Sequence, residues 1–444
     1  MNQFAKFTDS TTVTNILQQQ LPWLHGNVQI ADCRILHLHY KTYLKKESRR
    51  KDFLAATYEL QLRNRVTGKQ SAQTIFAKMF SSNASREVFN RAARQPLVPT
   101  EFGPSVMRVD EPEMVVWAFP NDPVLHRLPQ VIDPAKVKNH LPYSSLPVGF
   151  TAKEISLVNV EIINYRPEIR CTARYRLSNG KTTMTIFGKS FAENRGAEIF
   201  QRLEHLWKLS QQSSGEFLMP RPLAYNAETE TIWQEELAGQ SLAEFINDDN
   251  FASLIAEAAK RLAFVHRSQS PASVRFTPED NLQEVRKKAA KLSQAFPAAN
   301  APLMKTIGLL EQRPMILPST DERVIHGDFH LRQLMVHHGE VALFDFDEFA
   351  IGDPAQDLAN FIADLHSESF DKKLADAVAS TLIDAYGWHA DWQLNADRFN
   401  WHLAIQFVTR AYRAYLQQKP NLETLISYFS DLAYQSVAGR THIV

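Results

Sequence analysis

The feature that most restricts how this chain can fold is a stretch that occurs twice. Ile75-Phe76-Ala77-Lys78-Met79-Phe80 returns as Ile186-Phe187-Gly188-Lys189-Ser190-Phe191. In the same register Asn83, Glu87, Phe89 and Arg91 are matched by Asn194, Glu198, Phe200 and Arg202. After a small change of offset, Pro104 and Trp117 are matched by Pro220 and Trp233. A run of matches held in register is the mark of an internal duplication. The alternative is two unrelated strand–helix–hairpin units that share common residues.

Alternation and turn residues place the elements of both copies. In the first, a short helix is predicted from Val13 to Leu21, with strands at Arg34–Tyr40, Phe53–Leu62 and Ala72–Phe80. A turn falls at Thr67-Gly68, a helix at about Ser85–Arg94, and a hairpin at Val106–Val109 and Met114–Phe119. The basic run Lys41–Asp52 reads as a solvated hairpin tip, with a phosphate-binding patch as the alternative. In the second copy, strands are predicted at Val158–Tyr165, Cys171–Leu177 and Thr183–Lys189, with a hairpin turn at Ser178–Lys181. A helix covers Glu198–Leu209, with Ile199, Leu203, Leu206 and Trp207 on one face. Between the copies, Pro120 to Pro147 is punctuated by Pro123, Pro129, Pro134 and Pro142, and is expected to be a linker. The C-terminal part is helical: Ala252–Arg267, then amphipathic helices at Gln356–Leu365, Lys373–Tyr386, Arg398–Tyr415 and Leu422–Ala438.

Length and charge narrow the class. At 444 residues the chain can bury a large core. Its 49 basic and 49 acidic residues cancel, so no nucleic-acid polymer or membrane surface is expected as a partner. Two cysteines, Cys33 and Cys171, make neither a disulfide framework nor a zinc spacing. The opening MNQFAKFTDSTTV lacks the apolar core of a signal peptide, and no apolar run approaches the ~20 residues of a membrane span. A cytoplasmic location is expected.

The chemistry gathers in VIHGDFHLRQLMVHHGEVALFDFDEFAIGDPAQDLANFIADL, from Val324 to Leu365. A short apolar run, Val341–Phe344, ends on Asp345, and a strand that delivers a carboxylate at its tip suits metal binding. Asp328 lies in a turn-like segment five residues before the amide of Gln333. Phosphoryl transfer needs such a set: one acid to take a hydroxyl proton, and an acid with an amide oxygen to hold Mg²⁺ on the phosphates. The bland alternative is an acidic hairpin with no chemistry.

This stretch resembles the aminoglycoside phosphotransferase and choline kinase family, whose pattern runs H-G-D-x-H-x-x-N, a hairpin, D-F-D, then G-D-P-x-x-D-L-A. Here His326, Gly327, Asp328, His330, Asp345, Gly352, Asp353, Pro354, Asp357, Leu358 and Ala359 follow that order. Gln333 departs from the usual Asn, and maltokinase-like members resemble the chain more closely there. The resemblance implies an α+β, two-lobed protein-kinase-like fold preceded by an extra N-lobe-like module. Residues 1–145 would be the non-catalytic module, 150–238 the N-lobe, and 239–444 the helical C-lobe carrying the catalytic loop.

It also implies roles. Asp328 would orient and deprotonate the acceptor hydroxyl, while Asp345 and Gln333 would hold Mg²⁺. Lys189 would bind the α- and β-phosphates, with Glu198 fixing it and Glu193 as the alternative acid. Arg166 and Arg170, beside the tip Arg166-Pro167-Glu168, are placed to cover the phosphates in the absence of a GxGxxG; pairing with surface acids is the alternative. The hinge pattern at Glu235–Leu242 implies adenine contacts through the backbone of Glu235 and Leu237. Leu262–His266 matches the family's L-A-x-L-H helix ending, and His266 reads as structural. His326, His330 and Asp357 would brace the loop, as would Asp347 unless it is a second metal ligand. Asp353 suits a turn or cap. The implied reaction moves the γ-phosphoryl group of ATP, or GTP, to a hydroxyl of a sugar, aminoglycoside or amino-alcohol acceptor. The rival is a nucleotide-binding pseudokinase or an assembly subunit without turnover. In the first copy, Lys78 and Glu87 would then be a surface or interface pair.

Overall fold

A computed structural model describes residues 4–20, 27–41, 52–81, 84–101, 103–192, 194–312, 321–367 and 372–439. Nearly all of the basic run Lys41–Asp52, together with Asn83 and Glu193, lies outside these residues. The chain forms two compact units. One holds Met1–Ala197, Leu223–Trp233 and Tyr415–Pro420; the other holds Glu198–Pro222, Gln234–Ala414 and Asn421–Val444. The boundary expected at 145–150 separates two sheets that both lie in the first unit.

The first sheet contains β1 (Val28–Lys41), β2 (Phe53–Asn64), β3 (Gln70–Phe80), β4 (Val106–Val109) and β5 (Met114–Ala118), in the order β1-β2-β3-β5-β4. The second contains β6 (Leu157–Arg166), β7 (Arg170–Ser178), β8 (Thr183–Phe191), β9 (Pro222–Asn226) and β10 (Thr231–Glu235), in the order β6-β7-β8-β10-β9. The two topologies are the same, and matching residues occupy matching registers. Ile75 faces Tyr58 across β2–β3, and Ile186 faces Tyr175 across β7–β8. Both tyrosines and both tryptophans, Trp117 and Trp233, are buried. The Phe80 amide donates to the Glu113 carbonyl, and the Phe191 amide to the Glu230 carbonyl, both at the end of the lysine-bearing strand. In each copy a helix follows that strand: Ser85–Ala92 and Gly196–Gln212.

Two expectations change. The Pro-punctuated stretch is not a free linker. Leu125, Leu128, Val131, Val137 and Leu141 are buried in one cluster with Val158, Tyr175, Ile186 and Trp233 of the second sheet. Its prolines do not prevent helix: Pro129 and Pro134 sit in the first turns of Leu128–Ile132 and Pro134–Val137, where a missing N–H costs nothing. Nor do Lys78 and Glu87 pair. Glu87 pairs with Arg91 on its own exposed helix, and Lys78 reaches Glu168 in the β6–β7 turn at 2.6 Å. Lys78 shares its face of β3 with Phe76 and Phe80, which pack with Val88, Phe89 and Ala92 of that helix, yet its ammonium is taken by Glu168.

The second unit is mainly helical, with Phe251–Arg267, Pro278–Ala295, Asn300–Gln312, Ala355–Leu365, Lys372–His389, Ala396–Leu416 and Leu422–Val437. It also holds β11 (Gln240–Ser241), β12 (Arg323–Ile325), β13 (Leu334–His337), β14 (Glu340–Leu343) and β15 (Ala350–Gly352). β13 and β14 form a hairpin that pairs with β11, and β12 pairs with β15. The hairpin is fixed from beneath by Arg261, a fully buried side chain whose Nε donates to the Val341 carbonyl at 2.9 Å. Every residue of Ala355–Leu365 is buried. The element order is that of the α+β, two-lobed kinase-like fold, preceded by a module built on the first lobe's sheet. Among the described residues no helix is long and apolar enough to cross a membrane.

Candidate active site

The loop after β12 carries His326, Gly327 and Asp328, and its shape is imposed by one buried carboxylate. Asp357, in the first turn of Ala355–Leu365, is wholly buried. Its Oδ2 accepts the His326 amide at 2.6 Å, and its Oδ1 the Gly327 amide at 2.9 Å. His266 Nε2 lies 3.1 Å from Oδ2. Donor inventory fixes the histidine's proton. Trp392 Nε1 donates to the Tyr386 hydroxyl at 2.8 Å. That hydroxyl is 2.6 Å from His266 Nδ1 and donates to it. The ring proton therefore sits on Nε2, which donates to Asp357. Gly327 has φ +83°, and a Cβ there would meet the Glu348 carbonyl at 2.1 Å, so the turn admits no side chain.

His326 is buried and supports the loop from both ring nitrogens. Nε2 faces the Phe344 carbonyl at 3.0 Å and must donate to it; Nδ1 accepts the Asp328 amide at 3.4 Å. The Asp328 carboxylate is 3.6 Å from His330 Nε2 and 3.6 Å from Arg413 Nη2. Burial raises the Asp328 carboxyl, but His330, Arg413 and His326 outweigh it and hold the group at about 2. Asp328 is therefore ionised and acceptor-only at neutral pH. His330 also caps the turn Leu331–Gln333, its Nδ1 accepting the Arg332 amide at 3.2 Å.

Gln333 and Asp345 meet at the end of the β13–β14 hairpin. The Phe344 amide donates to the Gln333 carbonyl at 3.1 Å, and Gln333 Nε2 donates to Asp345 Oδ2 at 3.2 Å. Asp345 adopts φ +66°, a left-handed conformation that costs a non-glycine residue on the order of 1 kcal/mol or more and concentrates at functional sites. It turns the chain sharply where β14 ends. A carboxylate beside a side-chain amide carries only hard oxygens as possible ligands, which suit a hard divalent cation rather than a soft metal. Among the described residues no group of three or more His, Cys, Asp or Glu could hold a metal. Asp347 follows on the short turn Phe346–Glu348 and is buried. Asp353 accepts the Ala355 amide at 3.0 Å, and Arg398 and His402 also hold it.

The remaining predicted residues lie apart from this loop in the sequence. Lys189 is half-buried on β8, with its ammonium 5.5 Å from the Phe191 ring centre. Glu198 is engaged by the hydroxyl of Ser273 and then the guanidinium of Arg202, which hold its carboxyl below the usual range. Arg202 in turn donates to the Phe349 carbonyl at 3.0 Å, tying that helix to the segment after Asp347. The Glu235 amide is taken by the Arg221 carbonyl at 2.9 Å. Gly239 is required there: a Cβ would lie 2.4 Å from the Val336 carbonyl.

Several residues around Asp328 were not singled out from the sequence. Asn360 Nδ2 donates to the Phe329 carbonyl at 2.9 Å, and Arg410 holds Asn360 Oδ1 at 2.7 Å and Asp364 at 2.8 Å. Arg413 approaches Asp328 at 3.6 Å, and Lys288, bonded to Thr409, faces Arg413 and Arg410. The available signal was spacing: Arg410 with Arg413, and Lys288 with Lys291, are i,i+3 pairs of cations on two helices.

No curated protein matches the chain. Among solved structures, it is similar to a choline kinase, LicA, from Streptococcus pneumoniae (12% identity, 64% of this chain and 94% of that one, TM-score 0.41). It is also similar to a choline kinase from Cryptosporidium parvum Iowa II (13%, 68% and 93%, TM-score 0.47) and to amicoumacin kinase hAmiN in complex with AMP-PNP, Ca²⁺ and Ami (13%, 68% and 93%, TM-score 0.47). The family model for the phosphotransferase enzyme family, APH, matches residues 181–394, a span that runs from β8 through the Asp328 loop and the Asp345 hairpin. Over residues 181–394 this chain is similar to the phosphotransferase enzyme family.

Proposed function

We propose that this protein transfers the γ-phosphoryl group of ATP to a hydroxyl group of a small molecule, with Asp328 as the catalytic acid–base residue. The family match supports phosphotransfer to a small molecule as the reaction class. The observation that carries the finer reading is the pairing of an ionised Asp328 with the Asp345–Gln333 donor pair on one braced loop and hairpin.

In this reading Asp328 accepts a hydrogen bond from the acceptor hydroxyl and aligns its oxygen with the γ-phosphorus. The new O–P bond forms as the bond to the bridging β–γ oxygen breaks, ADP leaves, and the hydroxyl proton passes to the Asp328 carboxylate. A carboxylate held near 2 is a weak base. Its contribution is position, because in a loose transition state the proton leaves late. Asp345 and Gln333 would hold Mg²⁺, which when bound neutralises charge developing on the phosphate oxygens. Lys189 is assigned to the α- and β-phosphates and Glu198 to their support. The carbonyl of Glu235 and the amide of Leu237 are assigned to adenine, Asp357, His326 and His330 to the loop, and Asp347 to the metal or the loop. A cytoplasmic setting fits Cys33 and Cys171, both buried and both free thiols.

The test is ADP release by the full chain with ATP, Mg²⁺ and a panel of hydroxyl compounds, for wild type and Asp328→Asn. Acceptor-dependent release that falls by about 10²–10⁴-fold in Asp328→Asn, with nucleotide binding intact, is expected. Full turnover in Asp328→Asn would remove the assignment. Nucleotide binding with no acceptor-dependent release from any compound would favour a pseudokinase.

A further inference from the structure

Beside Asp328 the second unit gathers cations. Arg413 approaches the Asp328 carboxylate at 3.6 Å. One turn earlier on the same helix, Arg410 is consumed by Asp364 and Asn360. Facing them from Pro278–Ala295, Lys288 reaches the hydroxyl of Thr409 at 3.1 Å. Lys291, one turn on, lies over the Tyr412 ring at 5.9 Å.

The balance of charge in this group is uneven. Asp364 is committed to Arg410. Asp328 is the group that the proposed reaction uses. Glu284, on the Lys288 helix, is largely exposed and bonded to Lys287 at 2.7 Å. Among the described residues Lys288 therefore has a hydroxyl partner and no carboxylate within ion-pair distance. Burial, and then repulsion from Arg413 and Arg410 against the pull of Glu284, bring its amine down to about 8. A half-buried ammonium placed next to two guanidinium groups is unfavourable unless something of opposite charge completes it. Arg413 is also half-exposed, so its fork remains open to a ligand.

We propose that the acceptor is an anion: a small hydroxyl compound bearing a phosphate or carboxylate, whose charged group binds Arg413 and Lys288 while its hydroxyl meets Asp328. The inference rests on the placement of the acceptor hydroxyl at Asp328. Arg413 supplies the planar fork that matches phosphate or carboxylate, and Lys288 supplies the second charge. The same cations work against polycationic or quaternary-ammonium acceptors, which a site beside Asp328 would otherwise favour. Specificity here comes from repulsion of the wrong charge as well as attraction of the right one.

Two measurements test this. First, inorganic phosphate is titrated into the full chain saturated with ADP and Mg²⁺, against chloride at equal ionic strength. Wild type should bind phosphate at least tenfold more tightly than Lys288→Gln and Arg413→Gln. Equal binding in all three, with melting temperatures unchanged, would overturn the proposal. Second, ADP release is compared for glycerol 3-phosphate, glycerate and gluconate, for glycerol and glucose, and for choline and kanamycin. The anionic compounds should have the highest kcat/KM, and Lys288→Gln should reduce that preference over neutral compounds at least tenfold. The phosphate and carboxylate arms identify the anion. Turnover of choline or kanamycin that is abolished by Asp328→Asn and untouched by Lys288→Gln would leave the phosphotransferase reading standing and refute this one. Phosphate binding lost in both variants, with no compound turned over, would keep the anion site and count against the reaction.

Discussion

Replacing Asp357 by alanine removes an acceptor from three donors at once: the amides of His326 and Gly327 and Nε2 of His266. All three lie in the interior, and Asp357 itself is fully buried. A hydrogen bond to a charged group is worth about 1.5–3 kcal/mol net, and a buried donor left unmatched costs about 1–3 kcal/mol. The three are not additive, because they converge on one carboxylate and water could enter the space. Truncating one member of a buried charged network typically costs ~3–5 kcal/mol, and that is the expected loss for Asp357→Ala. Asparagine should be intermediate. It can accept through one oxygen, but its amide nitrogen must then face a donor, and His266 would have to move its proton against Tyr386. The assay is urea denaturation at pH 7, followed by tryptophan fluorescence and far-UV circular dichroism. The chain has two compact units, so the transition of the second must be resolved from that of the first. Activity should fall by at least 10²-fold even in folded protein, because the Asp328 backbone loses its support two residues away. A destabilisation under ~1 kcal/mol with near-normal turnover would refute the claim that Asp357 shapes the loop.

Asp345→Ala should abolish transfer, whereas Gln333→Asn should be tolerated, since it keeps the amide oxygen and shortens the arm by one methylene; activity retained in Asp345→Ala would end the metal assignment. Lys189→Ala should cost orders of magnitude in kcat/KM and Lys78→Ala far less; equal losses would mean that the first copy also handles nucleotide. The half-buried Lys78–Glu168 pair should show a coupling of roughly 1 kcal/mol in a double-mutant cycle on stability, and zero coupling would make it a surface contact. Asp353 gives a pH signature: burial raises its carboxyl, but His402 and Arg398 outweigh this and hold it well below the usual range. Its folded value is depressed, so its stabilisation is present above the unfolded value near ~3.9 and is lost as pH falls below that. Acid titration of stability should be flatter below pH ~4 in Asp353→Asn than in wild type, and an unchanged slope would contradict it.

Much of the fold was legible because it is written in local periodicity. β4 and the turns at Gly68 and Ser178–Lys181 lie where alternation and turn residues put them. β1 runs further than its apolar core, from Val28, because pairing with β2 carries polar Gln29 and Asp32 along the hairpin. The Pro-rich stretch was misread because proline is disfavoured inside a helix but suited to its first turn, and spacing alone does not separate the two. The pairing of Lys78 was misread because its partner, Glu168, comes from a turn far along the chain, while Glu87 is taken by Arg91 on its own helix.

For the site, the division has one physical cause. His326, Gly327, Asp328, Gln333 and Asp345 are brought together by a short loop and a tight hairpin, so chain geometry over a few residues already groups them. The repeated lysine-bearing strand is likewise local, and its register survives in both sheets. What surrounds these residues comes from far along the chain. His266 and Tyr386 orient Asp357, Arg413 approaches Asp328, and Lys288 faces Arg410 across two helices. Hydrophobic patterning states which face of a helix is buried, but not which other helix covers it. The charge around Asp328, and with it the kind of acceptor proposed here, was therefore decided only when the helices packed.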